Sequence, residues 1–286
     1  MDIYPIIENG YNTCYIDSLL IALFYKNSDQ INDILENEPQ IPEAYYLQEL
    51  IKVKFVNQIR KNYSIFSQSM NEIRNYSIIC GWATEGNIDE QQSCISYYNF
   101  LSNLFRIKPI EFEVFEFNNN VIYPENTSKI NFQFIPIDLN RDNDIRNLFI
   151  NWLNSNIIVK NSLTTQCYKL LDVPFFIIFS INRNNESIDN KYCKKNKFKL
   201  DIMKKIKFFN ISDSSQSHIK WNIHAIICYS SDDHLCCGHY YTILFSNKEW
   251  ILFDDKKIPS FKKIDLDDEA IKDKITSECI IIIYSM

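Results

Sequence analysis

The 286-residue chain has only four glycines, no C-x-x-C pair and no apolar run of membrane-spanning length. A transmembrane helix needs about 20 consecutive apolar residues, so no such segment is predicted. The first ten residues, MDIYPIIENG, lack the basic and apolar regions of a signal peptide. We therefore expect a cytoplasmic protein, with nuclear residence or delivery into a host cytosol as alternatives.

Features of a metal site or a nucleic-acid surface are also scarce. The nine cysteines are an odd number without regular spacing, which favours reduced thiols and argues against a zinc ribbon. The net charge is −6, and apolar residues interrupt the one basic run, 194–207. Neither nucleic acid nor a membrane is an expected partner, since both need clustered positive charge. We predict no metal and no cofactor.

The hydrophobic pattern changes near residue 109. Before it, apolar residues recur at helical spacing, as in the segment that follows Cys14. After it, residues 110–117 alternate as in a half-exposed strand, and the apolar run 173–182 suits a strand buried on both faces. Residues 182–217 are polar and are expected to form loops. With 46% hydrophobic residues, the chain is predicted to be a single α+β unit.

The segment ENGYNTCYIDSLLIALFY, residues 8–25, places Cys14 at the start of a predicted helix. Asn12 or Thr13 is expected to cap that helix. The helix dipole and the free N–H groups at this end stabilise a thiolate and lower its pKa. A buried structural cysteine is the alternative, and for a cysteine considered alone it is the commoner case.

A nucleophilic thiol needs a base, and four histidines are available. His239 has the best position, because it follows a glycine and opens the strand HYYTILF. His224 lies within an apolar strand pattern and is most simply a packed or surface strand residue. His218 and His234 lie in polar segments.

The hairpin that follows His239 can supply a partner for its ring. A turn at Ser246–Asn247 would place Asp254 opposite His239, where the carboxylate could take the Nδ1–H and leave Nε2 as the base. In that register Asp255 points to the other face. A turn at residues 247–248 would instead place Lys256 opposite His239. The pattern indicates a Cys-His-Asp hydrolase or acyl transferase, an order that papain-like proteases and transglutaminases share.

Two longer motifs identify one family. The stretch NGYNTCYIDSLLIALF resembles the cysteine box of the ubiquitin-specific proteases, and CCGHYYTILFSNKEWILFDD resembles their histidine box. Weaker similarities to the family's other boxes follow in the same order over essentially the whole chain. Asp17, in place of the usual Asn, is similar to the cylindromatosis-type branch. The family glycine before the N-T-C motif is Tyr11 here, and the cysteines of the family's fingers are missing.

The resemblance implies a thumb, palm and fingers fold in one catalytic domain, 1–286. We expect a helical thumb over 1–107, possible short fingers over 108–135 and a β-rich palm over 136–286. The resemblance also implies the roles of the site residues. These are Cys14 as nucleophile, His239 as general base and acid, Asp254 as its orienting residue, Asn9 as oxyanion donor and Asp255 as an assisting residue.

The resemblance further implies a thiol deubiquitinase that cleaves the isopeptide or peptide bond after the C-terminal glycine of ubiquitin. Two family carboxylates near the arginines of the ubiquitin tail are replaced by Ser93 and Ser96. Glu85, Asp89 or Glu90, just upstream, could take their place. The alternatives are an isopeptidase for another modifier such as SUMO and a catalytically weak ubiquitin-binding protein.

Overall fold

The computed structural model describes residues 4–84, 90–118, 121–122, 127–159, 162–183, 197–209, 218–230 and 238–286. The α+β prediction is confirmed, because helices dominate the first third and antiparallel strands dominate the remainder. Among these residues, no helix combines the length and apolar character needed to span a membrane.

The N-terminal part is helical, as predicted. Its elements are α1 (Cys14–Phe24), α2 (Asp29–Ile34), α3 (Ala44–Ile51), a π-helical turn (Lys52–Val56), α4 (Asn57–Arg60), α5 (Ser67–Ile79) and α6 (Cys94–Leu104). Helix α1 differs from an ordinary surface helix, since each of its residues is buried. It therefore forms the centre of this part and carries Cys14 into the interior.

The rest of the chain is mainly strands, with two further helices. The strands are β1 (Ile110–Asn118), β2 (Val121–Ile122), β3 (Ser128–Phe132), β4 (Ile135–Asp138), β5 (Asn143–Asp144), β6 (Asn154–Val159), β7 (Ser162–Leu170), β8 (Phe176–Asn182), β9 (Leu200–Asp201), β10 (Lys205–Phe209), β11 (His218–Ser230), β12 (His239–Ser246), β13 (Glu249–Phe253), β14 (Phe261–Ile264) and β15 (Cys279–Ser285). The helices are α7 (Ile145–Leu153) and α8 (Glu269–Glu278).

These strands form two main sheets. The larger has the order β14-β13-β12-β11-β15-β8-β4, with β10 also paired to β11, and the smaller has the order β2-β1-β7-β6, with β3 paired to β1.

The expectation of loops over 182–217 is therefore wrong for part of that range. Strand β10 forms there because Ile206, between lysines, is buried and pairs with Trp221, which is the alternation of a half-buried strand.

The core lies on both faces of the larger sheet. On one face α1 packs on β11 and β12, where Ala225, Ile227 and Leu244 join the apolar residues of the helix. Trp221 and Ile243 belong to the core of the other face. Burying one such side chain contributes about 1.5–3 kcal/mol. This packing fixes the start of α1 beside the start of β12.

The hairpin of β12 and β13 has the alternative register. Ser246 pairs with Glu249, so the turn is Asn247–Lys248, and both turn residues have positive φ, +51° and +66°. Positive φ at both positions is the geometry of a type I′ turn, whose twist matches that of the flanking strands. The predicted turn at Ser246–Asn247 is therefore wrong. The paired part of β13 ends at Phe253, so the next residues are free to leave the ladder.

Candidate active site

Cys14 is the first residue of α1, and the residues before it shape the turn. Thr13 is the N-cap residue, but its side chain makes no capping bond; its Oγ1 donates to Oδ2 of Asp17 at 3.1 Å. Asn12 lies one residue outside the cap with a φ of +55°. The predicted side-chain cap is therefore wrong: the cap position is Thr13, and its side chain bonds to Asp17 rather than to a backbone N–H of the first turn.

The thiol of Cys14 is deeply placed, with 4% of the residue exposed. Burial raises its pKa to about 12, although the backbone N–H of Tyr240 bonds to the sulfur and works to lower it. The nearby Asp255 carboxyl raises the pKa further, and so does Asp17 when it is ionised. The expectation of a lowered pKa at the helix start is therefore wrong, since desolvation outweighs it. In the resting protein Cys14 is a thiol and needs a base to become a nucleophile.

His239 is oriented by a carboxylate on one side of its ring. Its Nε2 lies 2.8 Å from Oδ1 of Asp254. Its Nδ1 is buried and has no hydrogen-bond partner among the residues the structure describes. The expected arrangement of the two nitrogens is therefore reversed: Nε2 faces the carboxylate, and Nδ1 is the nitrogen that faces away from it. The backbone N–H of the next residue, Tyr240, donates a hydrogen bond to the sulfur of Cys14.

Asp254 reaches His239 from a tight turn after β13. Its backbone N–H donates to the carbonyl of Ser260 at 2.8 Å, and its Oδ1 accepts from the backbone N–H of Lys256 at 3.1 Å. Lys257 lies 3.4 Å from its other oxygen. Burial works to raise the pKa of this carboxyl, but the bond and charge of His239, with the Lys256 N–H and the Lys257 charge, together hold the pKa below its usual value. Asp254 is therefore a carboxylate at neutral pH.

Asn9 and Asp255 complete the cluster. The side-chain amide of Asn9 donates to Oδ2 of Asp255. The other oxygen of Asp255 lies 3.4 Å from Nε2 of His239. The expectation that Asp255 points to the other face is wrong, because both aspartates follow the end of the ladder and turn toward the histidine.

Gln91 is a site residue that the sequence did not reveal. Its amide nitrogen lies 3.7 Å from the sulfur of Cys14, and its amide oxygen accepts from the hydroxyl of Tyr229 at 3.3 Å. Gln91 thus bridges the sulfur of Cys14 and strand β11. It precedes α6 rather than lying in it, so no periodicity marks it as a functional residue.

The proposed substrate contacts are only partly within the described residues. Glu85 and Asp89 lie outside them, and Glu90 is exposed. Ser93 is the N-cap of α6, where its hydroxyl accepts from the backbone N–H of Ser96 at 3.3 Å. Ser93 therefore stabilises a helix start, and the substrate contacts of these five residues stay a prediction.

The other histidines lie apart from this cluster or outside the described part. His224 is buried, and its Nδ1 lies 3.1 Å from the hydroxyl of Ser285, which agrees with a packed strand residue. The side chain of His218 and all of His234 lie outside the described residues.

A cation could in principle use the same cluster. His239, Asp254 and Asp255 each offer a ligand atom, and these atoms lie within 4.8 Å of one another. Nε2 of His239 and Oδ2 of Asp255 already form hydrogen bonds. A cation would have to replace these bonds, so the arrangement fits acid–base chemistry better than metal binding.

Solved structures share this fold. The SAGA Ubp8/Sgf11/Sus1/Sgf73 DUB module bound to ubiquitin aldehyde matches with a TM-score of 0.70 and 13% identity, over 99% of this chain and 69% of that chain. The Ubp8-Sgf11-Sgf73-Sus1 SAGA DUB module matches with a TM-score of 0.67 and 14% identity, over 99% and 67%. At these identities the likeness concerns the fold.

Comparison with protein families gives the identity. No curated protein matches the chain, and the similarity to the cylindromatosis-type branch stays a prediction. The family model described as ubiquitin carboxyl-terminal hydrolase matches residues 7–284, nearly the whole chain. The chain therefore belongs to the ubiquitin carboxyl-terminal hydrolase family and is a cysteine-type deubiquitinating enzyme.

Proposed function

We propose that Cys14 is the nucleophile that cleaves the isopeptide or peptide bond after the C-terminal glycine of ubiquitin. One observation carries this proposal: His239 forms a 2.8 Å hydrogen bond with Asp254 at the start of β12. The backbone N–H of the next residue in that strand, Tyr240, bonds to the sulfur of Cys14. Two similar solved structures hold ubiquitin aldehyde or monoubiquitin, which supports ubiquitin as the partner.

The first step is proton transfer from Cys14 to His239. Because burial raises the pKa of the thiol to about 12, few thiolates exist at neutral pH without a base. Nδ1 of His239 takes the proton, and the carboxylate of Asp254 stabilises the imidazolium through Nε2–H. The sulfur then attacks the carbonyl carbon of the terminal glycine.

The negative oxygen that forms in this attack needs donors. The backbone N–H of Cys14, at the start of α1, has no acceptor within its own helix. The amide of Asn9 has two N–H groups, and Asp255 takes one of them, so the second can serve the oxyanion. One such donor typically contributes about 3 kcal/mol to lowering the barrier.

The remaining steps use the same residues. His239 gives its proton to the leaving amine as the carbon–nitrogen bond breaks, which leaves a thioester between Cys14 and the modifier. Water, activated by His239, then hydrolyses the thioester and restores the thiol.

The predicted domain organisation forms part of the proposal. We propose that the chain acts as one catalytic domain, with residues 1–107 as the thumb, the short fingers within 108–135 and the palm from 136. We also propose a cytosolic or nuclear place of action, or a host cytosol. Within the described part of the chain, six cysteines are free, which supports a reducing compartment: Cys14, Cys80, Cys94, Cys167, Cys228 and Cys279.

Electrophilic modifiers test the proposal. Ubiquitin with a C-terminal electrophile should form an adduct on Cys14, detected by mass spectrometry, and Cys14→Ala should form none. Cys167→Ala, at a half-exposed cysteine, is the matched control and should label as the wild type does. Labelling of Cys14→Ala at the wild-type rate would show that another residue is the nucleophile.

The same experiment with other modifiers distinguishes the alternatives. An adduct with a SUMO electrophile but none with ubiquitin would favour the other isopeptidase and would account for Ser93 and Ser96. Absence of adducts from every modifier, together with measurable ubiquitin binding, would favour the binding protein.

A further inference from the structure

Two buried carboxyls face each other behind the catalytic cluster. Asp17 lies one helical turn after Cys14 and is completely buried. The side chain of Asp255 is also completely buried. The two carboxyls are within hydrogen-bond distance of each other. This contact joins helix α1 to the turn that carries the partners of His239.

In each of these carboxyl groups, one oxygen accepts a hydrogen bond and the other has no ordinary donor among the described residues. Oδ2 of Asp17 accepts from Thr13, and Oδ2 of Asp255 accepts from Asn9. Oδ1 of each is buried and forms no hydrogen bond to an ordinary donor within the described part of the chain. Ionised carboxylates only accept hydrogen bonds, and buried polar atoms are nearly always bonded. A proton between the two groups satisfies both.

We propose that Asp17 and Asp255 share one proton, and that this makes Asp17 a positioning residue for the hydrolysis. The proposal rests on the roles proposed above for Cys14, Asn9 and His239. With the proton in place, Asp255 can stay against Asp17 and hold the amide of Asn9 by its other oxygen. Asp17 thus acts on the reaction through Asp255 and Asn9.

The surroundings indicate where the proton resides. Burial and the neighbouring Asp255 carboxylate raise the pKa of the Asp17 carboxyl well above its usual range, so Asp17 is the protonated partner. Neither carboxyl forms an ion pair with a lysine or arginine among the described residues. Other titratable groups act on this region from each neighbouring element: Cys14 and Tyr15 from α1, Tyr97 from α6, His239 from β12, and Asp254 and Lys256 from the turn after β13.

Loss of the proton has a defined consequence. Two negative charges in contact without water repel each other strongly. The repulsion would move Asp255 away from Asp17 and loosen its bond to Asn9. It would also place a second negative charge beside the Cys14 sulfur. We therefore expect kcat to fall at alkaline pH, where the Asp17–Asp255 pair loses its proton.

The proton can be observed directly, without any modifier. Protein labelled with ¹³C at the aspartate carboxyl carbons should show one protonated carboxyl at about pH 7, where carboxyls with an ordinary pKa of about 3.9 are ionised. This resonance should disappear in Asp17→Asn, which removes the protonated carboxyl. It should persist in Asp33→Asn, a control at an exposed position. If every aspartate of the wild type is ionised at that pH, the proposal is overturned, whether or not the variants fold.

Kinetics separates positioning from a merely structural role. Asp17→Asn supplies a permanent N–H toward Asp255, whereas Asp17→Ala supplies none. We expect Asp17→Ala to lower kcat on a ubiquitin amide by about tenfold or more, since a misplacement of about 1 Å can cost roughly 100-fold. Asp17→Asn should recover most of this loss. It should also keep a larger fraction of its neutral-pH rate at alkaline pH than the wild type does.

The outcomes distinguish this inference from the proposed function. Equal loss of kcat in both variants at every pH would overturn the role of the shared proton, even while wild-type Cys14 still reacts with ubiquitin electrophiles. Failure of wild-type Cys14 to react would overturn the proposed function. The carboxyl spectrum would still report whether the pair holds a proton.

Discussion

His239 bonds to Asp254 although the strand ladder does not place them opposite each other. The ladder pairs Thr242 with Phe253 and ends there. The chain then turns back, closed by the bond from the Asp254 N–H to the carbonyl of Ser260, and this turn returns the carboxylate to the histidine. The contact thus depends on the turn rather than on cross-strand pairing.

Substitution of Asp254 should separate orientation from charge. An asparagine oxygen can still accept from His239 Nε2 and from the Lys256 N–H, the two bonds now made by Oδ1, whereas alanine leaves both donors unpaired. We expect Asp254→Asn to lower kcat by about tenfold, through loss of the charge that stabilises the imidazolium. Asp254→Ala should lower it further, up to the roughly 10⁴-fold that loss of a triad aspartate can cost.

Steady-state hydrolysis of a ubiquitin amide measures this difference. Asp267→Ala, at an exposed position, is the control and should retain wild-type kcat. If Asp254→Ala is as active as Asp254→Asn, then Asp255, which is 3.4 Å from the same nitrogen, is the orienting residue.

Gly238 should be intolerant of any side chain. A Cβ at this position would lie 2.0 Å from the Cζ atom of Tyr229, far inside van der Waals contact. The Tyr229 ring also packs against Tyr240, with centroids 4.7 Å apart, so it cannot move freely. We expect Gly238→Ala to displace the start of β12 and to lower kcat by about 100-fold, the cost of a shift of roughly 1 Å at the reacting groups.

A second substitution checks that the cause is steric. Tyr229→Ala removes the ring that the new methyl group would meet, so the double variant Gly238→Ala/Tyr229→Ala should be more active than Gly238→Ala alone. Thermal unfolding of each variant controls for stability. Equal activity of the single and double variants would contradict the steric account.

Gln91 should protect the thiol in the resting enzyme. Its amide lies 3.7 Å from the Cys14 sulfur and is held by the Tyr229 hydroxyl. Gln91→Ala should therefore raise the rate at which iodoacetamide alkylates Cys14. The increase should be about two- to tenfold, the equivalent of one net hydrogen bond of roughly 0.5–1.5 kcal/mol.

Mass spectrometry of the Cys14 peptide gives this rate separately from the other cysteines. Tyr229→Phe keeps the ring and removes only the hydroxyl that holds Gln91, so it should raise the rate by a smaller factor. A lower rate in Gln91→Ala would indicate that the amide activates the sulfur rather than covering it.

Local pattern was sufficient for much of the fold and for the elements that carry Cys14 and His239. The helix at Cys14 and the strand at His239 follow from apolar spacing, although α1 is buried on all sides rather than along one stripe. The register of the hairpin was harder to predict, because Asn247 and Lys248 adopt positive φ and no glycine marks the turn. Strand β10 was also difficult to predict, because its buried Ile206 lies between two lysines.

Properties that depend on distant residues could not be predicted. The pKa of Cys14 follows the burial of its sulfur rather than its place on the helix. The contact of Asp17 with Asp255 joins residues at opposite ends of the chain. The bridge from Gln91 to Tyr229 depends on the path of a non-helical segment beside α6. None of these leaves a periodic signal in the sequence.

His224 should make the fold sensitive to mild acid. Burial, assisted by the charge of Lys26, lowers its pKa from 6.5 to about 3. Below pH 6.5 the unfolded chain therefore binds a proton that the folded protein does not. The free energy of unfolding should fall by about 1.4 kcal/mol per pH unit from this group, or by roughly 2 kcal/mol between pH 6.5 and 5.

Urea unfolding of the wild type and of His224→Gln across this pH range measures the effect. Glutamine does not titrate and can still bond to the Ser285 hydroxyl, which His224 Nδ1 meets at 3.1 Å. Other groups titrate equally in both proteins, so the difference between their free energies of unfolding isolates His224. This difference should move in favour of His224→Gln as the pH falls from 6.5 to 5. A difference that stays constant over the range would mean that the buried ring takes up its proton as readily as the unfolded chain does.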